Sequence, residues 1–398
     1  MKRIIIYIVT NLYLFLTLLA ITTMFGLYDW YSLIVLVVIC SFFICFKKIR
    51  WKPIDSFVLF FLVYSLFSFF FSNYSFALFY YGIKVQIVSL LFYFLARSKY
   101  FQDNLFIDRA KPIFTFIFIS AIVLYFFPPA WYTAYKTSNL PDGISSKMFF
   151  ELTRMSAFWP ASYFVGTSSI VSIIYISEKI FIKQEINKKN IAFLFLALIC
   201  LFFSQQRVAL AYCMLFMLIL TLMTYIYRLK TRKILLRFWL VLLFIIGLIY
   251  YIVINYMPAE FVDYVLNRTI NEEDGLIKER ILLFEDFFKY MSLLGYGLGR
   301  FGHNALIYDM PSITDCEYLR IICELGYIGL TVFLIIYFSI LYKGFKTIKN
   351  NFFEFFCLGY YLAAMIGATP LEAISQHSFL IWYSLGHIVS KSVKVKYK

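Results

Sequence analysis

The sequence predicts an all-α polytopic membrane protein, with residues 1–398 forming a single integral membrane domain. Hydrophobic residues make up 62% of the chain and charged residues only 15%, a balance foreign to water-soluble globules. Apolar runs of about 20 residues, the length a helix needs to cross a bilayer, recur along the whole chain. They lack the period-2 alternation of a transmembrane barrel, so the spans are helical.

Hydropathy and helix breakers together give about 12 transmembrane helices. They lie near 4–25, 30–46, 55–72, 76–96, 112–130, 158–177, 191–204, 208–226, 235–257, 320–342, 352–368 and 377–390. The opening MKR followed by an apolar run mimics a signal peptide. That run is too long for an h-region and no small-x-small site follows it, so it reads as the first span.

Orientation follows from the basic residues. With the N-terminus in the cytoplasm, most of the 37 Lys and Arg fall on the cytoplasmic side, most densely in KKIRWK (47–52) and YRLKTRK (227–233). The positive-inside rule therefore expects both termini to be cytoplasmic. The net charge of +15 follows from this topology and from attraction to anionic inner-leaflet lipids, and calls for no nucleic acid. The seven cysteines and three histidines show no zinc-ligand spacing, and no carboxylate motif for a divalent ion is evident. No metal and no cofactor is expected.

Two outer loops interrupt the spans. The smaller, 131–157, contains FELTRMSAFWP. The larger, 258–319, holds half of the 22 acidic residues and far exceeds the roughly 2–8 residues that usually join helices. Long loops on rigid scaffolds are where function is built. Within the larger loop, GLIKERILLFEDFFKYM (275–291) sets Ile277, Ile281, Phe284, Phe288 and Met291 on one face of an amphipathic helix. Arg280 falls inside that apolar arc. Either its stem packs on lipid while the head snorkels to water, or its guanidinium enters a partly desolvated cleft where an anion would feel it strongly.

Arg207 ends FFSQQR (202–207), the hinge between two apolar segments. It sits at the outer membrane boundary and at a helix N-terminus, a natural phosphate site; an ordinary interfacial arginine is the plainer alternative. Arg154, directly before the sixth span, is read in the same way. The other outward basic residues are Lys136, Lys147, Arg268, Lys278, Lys289, Arg300 and Arg320. Lys84, in YYGIKVQIV, is mid-span, where a charge is functional unless it snorkels outward.

The stretch GYGLGRFGHN (295–304) satisfies G-x-G-x-x-G at Gly297, Gly299 and Gly302. A dinucleotide turn needs a cytosolic cofactor, and this stretch lies on the other side, so that reading is excluded. The glycines instead allow close backbone approach and φ > 0 turns, which would hold His303 and Asn304 against the bundle. A lone histidine is more often structural than catalytic. ELGYIG (324–329) then opens the next span with small residues suited to close helix packing.

The ordered set of SQQR, the segment carrying Arg280, GYGLGRFGHN and CELGYIGL resembles the O-antigen ligase and polymerase superfamily of membrane glycosyltransferases, mainly over residues 150–335. The chain departs from the pattern at Ser204-Gln205-Gln206-Arg207, where the ligases more often show Ser-Arg. It departs again at Trp159-Pro160-Ala161, in place of a proline-asparagine. The resemblance implies a GT-C-like bundle acting on undecaprenyl-diphosphate-linked glycans, donor and acceptor, at the outer face of a bacterial plasma (inner) membrane. Membrane lipids, a chain-length regulator and a flippase are the partners it implies.

Inverting transfer needs a base near the acceptor hydroxyl and positive charge on the departing diphosphate. On the resemblance, His303, Arg280 and Arg207 are the catalytic residues, with His303 as base. Arg154, Arg300, Asn304 and Lys84 bind substrate, as do Glu317 and Asp315, either of which is the reserve carboxylate to take the proton. A polymerase of repeat units (O-antigen, capsule or exopolysaccharide) is favoured because its acceptor shares the polyprenyl environment. The alternatives are a ligase that moves the glycan to lipid A-core and a flippase of lipid-linked oligosaccharide. A flippase would be expected to show internal repeats and charges spread through the spans.

Topology is directly testable. Single reporters at Ser145→Cys and Asp274→Cys should react with an impermeant thiol reagent from outside the cell, and Lys188→Cys only after permeabilisation. Reaction of Asp274→Cys from the cytoplasm alone would overturn the sidedness of the large loop.

Overall fold

The computed structural model describes residues 7–25, 31–46, 49–71, 75–98, 105–138, 154–159, 162–226, 247, 251, 285–302, 305, 311–313, 316–348, 350–367 and 378–391. All regular structure among them is helical. Among the described residues six helices are long and apolar enough to cross a membrane: Pro53–Phe70, Phe76–Arg97, Ile107–Phe126, Tyr163–Ile182, Arg207–Ile226 and Glu317–Lys346. Leu12–Met24, Ser32–Phe46 and Phe352–Met365 are shorter apolar helices. Lys188–Ser204, Ser378–Lys391 and the short Ala130–Ser138 complete the described bundle. Apart from Gly247 and Tyr251, the expected span 235–257 lies outside the described residues.

Several boundaries differ from the hydropathy reading. The span expected from residue 112 begins at Leu105 and carries Pro112 inside it. Proline removes one helical hydrogen bond there, but its turn is held by tertiary anchors. Asp108 accepts from Lys179 Nζ at 2.7 Å and from the Tyr175 hydroxyl, and Lys111 Nζ donates to Asn190 Oδ1 at 2.7 Å. Helix Ala130–Ser138 lies where the smaller outer loop is expected to start. Two spans contain a π-helical turn, Ile83–Ile87 and Glu178–Ile182, a distortion common at functional sites.

Polar contacts gather at the two ends of the bundle. At one end Asp55, in the first turn of Pro53–Phe67, accepts from Arg97 Nε and Nη2, each at 2.9 Å, and from the Tyr93 hydroxyl. Arg97 also donates to Ser390 Oγ at 3.2 Å. Glu354, in the first turn of its helix, meets His387 and Lys391 from the last helix, the lysine at 3.0 Å. Acidic first turns thus face basic last turns, complementing the helix dipoles. Beside them Lys52 has its pKa lowered to about 8, chiefly by burial and then by Arg97 and Lys343, against the opposing pull of Asp55.

At the other end, residues 292–302 are built into the bundle rather than looped into solvent. Leu298 and Phe301 are fully buried. The insertion depends on a break in Glu317–Lys346, where Gly326 takes φ 69° and ψ −175°. The break releases the carbonyls of Cys323 and Glu324, which accept from Tyr296 N at 3.0 Å and Gly297 N at 2.9 Å. It also releases the amides of Tyr327 and Ile328, which donate to Ser292 O at 3.0 Å and Leu293 O at 3.3 Å. Two polar side chains of the third helix seal the junction. The Tyr64 hydroxyl lies 3.0 Å from Leu294 O and 3.1 Å from Leu325 O, and Ser68 Oγ accepts from Leu298 N at 3.0 Å.

The amphipathic helix expected over 275–291 is described only from residue 285, and its buried face is rotated by one residue. Residues 285–288 are helical, but Phe287 is buried while Phe288, expected on the apolar face, is 57% exposed. The chain leaves the helix at Lys289, and Phe287 turns edge-on to Phe301 in a cluster with Tyr290 and Tyr296. That aromatic cluster, not helical periodicity, sets which face is covered.

Glycine is required where these backbones cross. A Cβ on Gly326 would fall 2.6 Å from the Gly295 nitrogen, and one on Gly299 (φ +82°) would fall 2.8 Å from the Gly82 nitrogen. Gly326→Ala and Gly299→Ala should each lower the apparent melting temperature of the purified protein. The left-handed backbone alone costs about 1–2 kcal/mol. Gly247→Ala, whose Cβ would meet nothing within 4 Å, should shift stability by less than about 0.5 kcal/mol.

Candidate functional site

The site is assembled at the end of the bundle into which residues 292–302 are inserted. Its first wall is the SQQR hinge. Helix Lys188–Ser204 stops at Gln205, which takes a left-handed φ of 53°, and its N–H bonds Phe202 O at 3.1 Å. Arg207 then opens the next helix with its side chain exposed. The hinge lies hard against Gly166, where a Cβ would meet Ser204 Oγ and Gln206 Cβ at 2.9 Å. Gln206 Nε2 donates to Ser162 Oγ at 2.9 Å.

The segment 154–159 docks on the same hinge through Met155 N, which donates to Phe203 O at 3.0 Å. This bond brings the segments carrying Arg154 and Arg207 together. Lys136, buried on helix Ala130–Ser138, donates to the Arg154 carbonyl at 2.9 Å, and the Tyr132 hydroxyl pairs with Ser156 Oγ at 3.2 Å. Burial raises the Tyr132 pKa and pushes that of Tyr135 up to about 12, so both phenols remain protonated donors near neutral pH.

The second wall is the inserted glycine turn and the half-helix behind it. Arg300 is half-buried, its guanidinium 5.4 Å from the centre of the Tyr296 ring, close enough for a cation–π contact. Phe301 N donates to Glu324 Oε1 at 3.1 Å. Behind the turn, Glu317, Arg320 and Glu324 are all buried. Arg320 holds Glu317 through Nε at 2.9 Å and through Nη2 to its other oxygen, while Arg320 Nη1 lies 3.7 Å from Glu324 Oε2. Both oxygens of Glu317 are therefore engaged, and the charge of Arg320 is matched by carboxylates.

Lys84 sits in the π-helical turn Ile83–Ile87, its ammonium 4.6 Å from the Tyr80 ring centre. It is two residues from Gly82, whose Cβ position lies 2.7 Å from the Gly299 nitrogen. Of the remaining expected site residues, His303, Asn304, Arg280 and Asp315 lie outside the described residues. Sequence reasoning passed over Lys136 and Glu324 as site residues and counted Arg320 among the outward cations. A signal for the buried cluster is present: Glu317, Arg320 and Glu324 are spaced i, i+3 and i+7, one helical face, at the edge of an apolar span.

Residues 192–334 match the model of a family described as O-antigen ligase. This stretch is similar to the O-antigen ligase family. It runs from the helix that ends at Ser204 to the helix broken at Gly326, so it contains the Arg207 hinge and the inserted turn. The match supports the O-antigen ligase/polymerase superfamily, membrane glycosyltransferase-like enzymes that include both ligases and polymerases. No individual curated protein matches the chain. Arg154 and Lys84 lie outside the matched residues, yet both belong to elements packed directly on the matched stretch, through Phe203 and Gly299.

The buried ion cluster of that stretch makes a stability prediction. Arg320→Met leaves Glu317 and Glu324 without their cation, and breaking a buried pair in this way costs about 3–5 kcal/mol. The triple variant Arg320→Met, Glu317→Gln, Glu324→Gln removes the charges together and should recover much of the lost melting temperature.

Proposed function

We propose that the protein is a polymerase of undecaprenyl-diphosphate-linked oligosaccharide repeat units. It acts by inverting glycosyl transfer at the outer face of the bacterial inner membrane, with both termini in the cytoplasm. The observation that carries this reading is the Met155–Phe203 junction. It joins the Arg154 and Arg207 segments at a stretch similar to the O-antigen ligase family, at the end of the bundle away from the Asp55–Arg97 and Glu354–Lys391 pairs.

In this reading the acceptor hydroxyl attacks the anomeric carbon of the donor, and the bond from that carbon to the phosphate oxygen breaks. The electron pair leaves with undecaprenyl diphosphate. Arg207 and Arg280, with Arg154 beside them, offset the charge that develops on the diphosphate; preorganised cations are most effective where water is excluded. His303 takes the acceptor proton, with Asn304 next to it. Both oxygens of Glu317 are held by Arg320, which leaves Asp315 as the reserve base. Arg300 and Lys84 flank the glycine turn and bind substrate. Transfer to lipid A-core, as in an O-antigen ligase, is the second reading, favoured by the description of the matched family.

The test is chain lengthening by purified protein supplied with lipid-linked repeat units. Arg207→Ala and Arg280→Ala should abolish polymer while leaving the protein inserted and folded. Arg207→Lys should rescue poorly because lysine lacks the bidentate fork. His303→Ala should cut turnover by roughly 10²–10⁴-fold, the usual contribution of a general base. Normal polymer from both arginine variants would overturn the anion clamp. Transfer to a lipid A-core acceptor, with none to a second repeat unit, would establish the ligase instead.

A further inference from the structure

We infer that Glu324 is a positioning residue for Arg300, fixing that guanidinium where it meets the diphosphate of the lipid-linked substrate. The inference rests on the glycosyl-transfer reading above and extends it to a residue within the core of the bundle. Glu324 touches the chain on both sides of Arg300. Its carboxylate accepts from Phe301 N at 3.1 Å and also from the backbone of Gly299. Its main-chain carbonyl accepts from Gly297 N at 2.9 Å. Gly297 and Gly299 both have positive φ, 104° and 82°, and backbone that alternates its sign of φ turns successive N–H groups toward one point. Such a nest binds anions, and here the anion is the protein's own carboxylate.

Chemistry explains why the group is Glu and not Gln. Oε1 accepts from the turn while Oε2 faces Arg320 Nη1 at 3.7 Å, so an amide that keeps its oxygen on Phe301 N would turn its NH₂ donor toward a guanidinium. Stability alone does not explain it, because a buried ion cluster is often no better than well-packed apolar residues. The turn is also pinned from its outer side, where a Cβ on Gly299 would enter the Leu78 carbonyl and lie 2.8 Å from the Gly82 nitrogen. Held between helix Phe76–Gly82 and Glu324, the backbone of residue 300 has one register. Arg300 is the charged side chain projecting from that fixed point, steadied over the Tyr296 ring.

The experiment measures initial rates against lipid-linked repeat unit for wild type, Arg300→Ala, Glu324→Gln and the double variant, each normalised to folded protein by size-exclusion profile. Loss of one held hydrogen-bonding geometry is expected to raise KM roughly tenfold, with kcat within about twofold. Glu324→Gln should have no further effect in the Arg300→Ala background, because coupled residues are non-additive. Glu324→Asp keeps the charge beside Arg320 but falls one methylene short of Phe301 N, and it should show the same KM shift if Glu324→Gln does not fold. Wild-type KM in a folded Glu324 variant would overturn the inference, as would effects of Glu324 and Arg300 that simply multiply. Failure of the wild-type protein to transfer glycan at all would instead sink the underlying functional reading.

Discussion

The end of the bundle that receives residues 292–302 depends on the backbone exchange at Gly326. Within a bilayer an amide or carbonyl without a partner costs several kcal/mol, so a helix cannot simply stop in mid-span. Here two carbonyls and two amides released by the break are taken up by residues 292–297, while Tyr64 caps carbonyls on both strands of the junction. The inserted segment and the broken helix satisfy each other, and neither conformation is tenable alone. Because the turn is locked there, Arg300 and Phe301 can be addressed by a side chain behind them, and the candidate site has one fixed wall.

Charge in this protein is sorted by burial rather than by number. Arg97 and Arg320 are buried and matched by carboxylates, so they act as structural cross-links between or within helices. Arg207 opens a helix with its side chain exposed, and Arg154 is half-buried on a segment tied to the same hinge. Arg207 and Arg154 lie nearer the surface than the two buried arginines, on segments joined through Met155 and Phe203. A net charge of +15 therefore says little about binding until each cation is located.

The all-helical, apolar class was legible because sustained apolar runs admit few folds in lipid, and the Ser204–Arg207 hinge was legible because polar residues interrupt two such runs. The glycine turn also announced itself, since three of its four glycines, Gly295, Gly297 and Gly299, alternate along the chain. Its insertion into the bundle did not, because that depends on Gly326, Ser68 and Tyr64, which are distant in sequence. Periodicity assigned Phe288 to the core in place of Phe287, since a local rule does not see an aromatic cluster that recruits a ring from the end of a short helix. The π-helical turns at IKVQI and EKIFI were equally invisible, having the composition of ordinary helix. Glu324 read as part of a helix start, and its role emerged only when the amides of another segment were found converging on it.

During synthesis, residues 76–97 enter the membrane long before residues 292–302 exist, since chains are delivered N-terminal end first. The backbone at Gly82, against which the Gly299 nitrogen finally lies, cannot receive that segment until every helix in between has been made. The early helices therefore wait in a half-built state, and the late segment completes them from within, as a keystone does an arch. A nascent chain arrested before residue 299 therefore leaves the Gly82 backbone without the segment that finally packs on it.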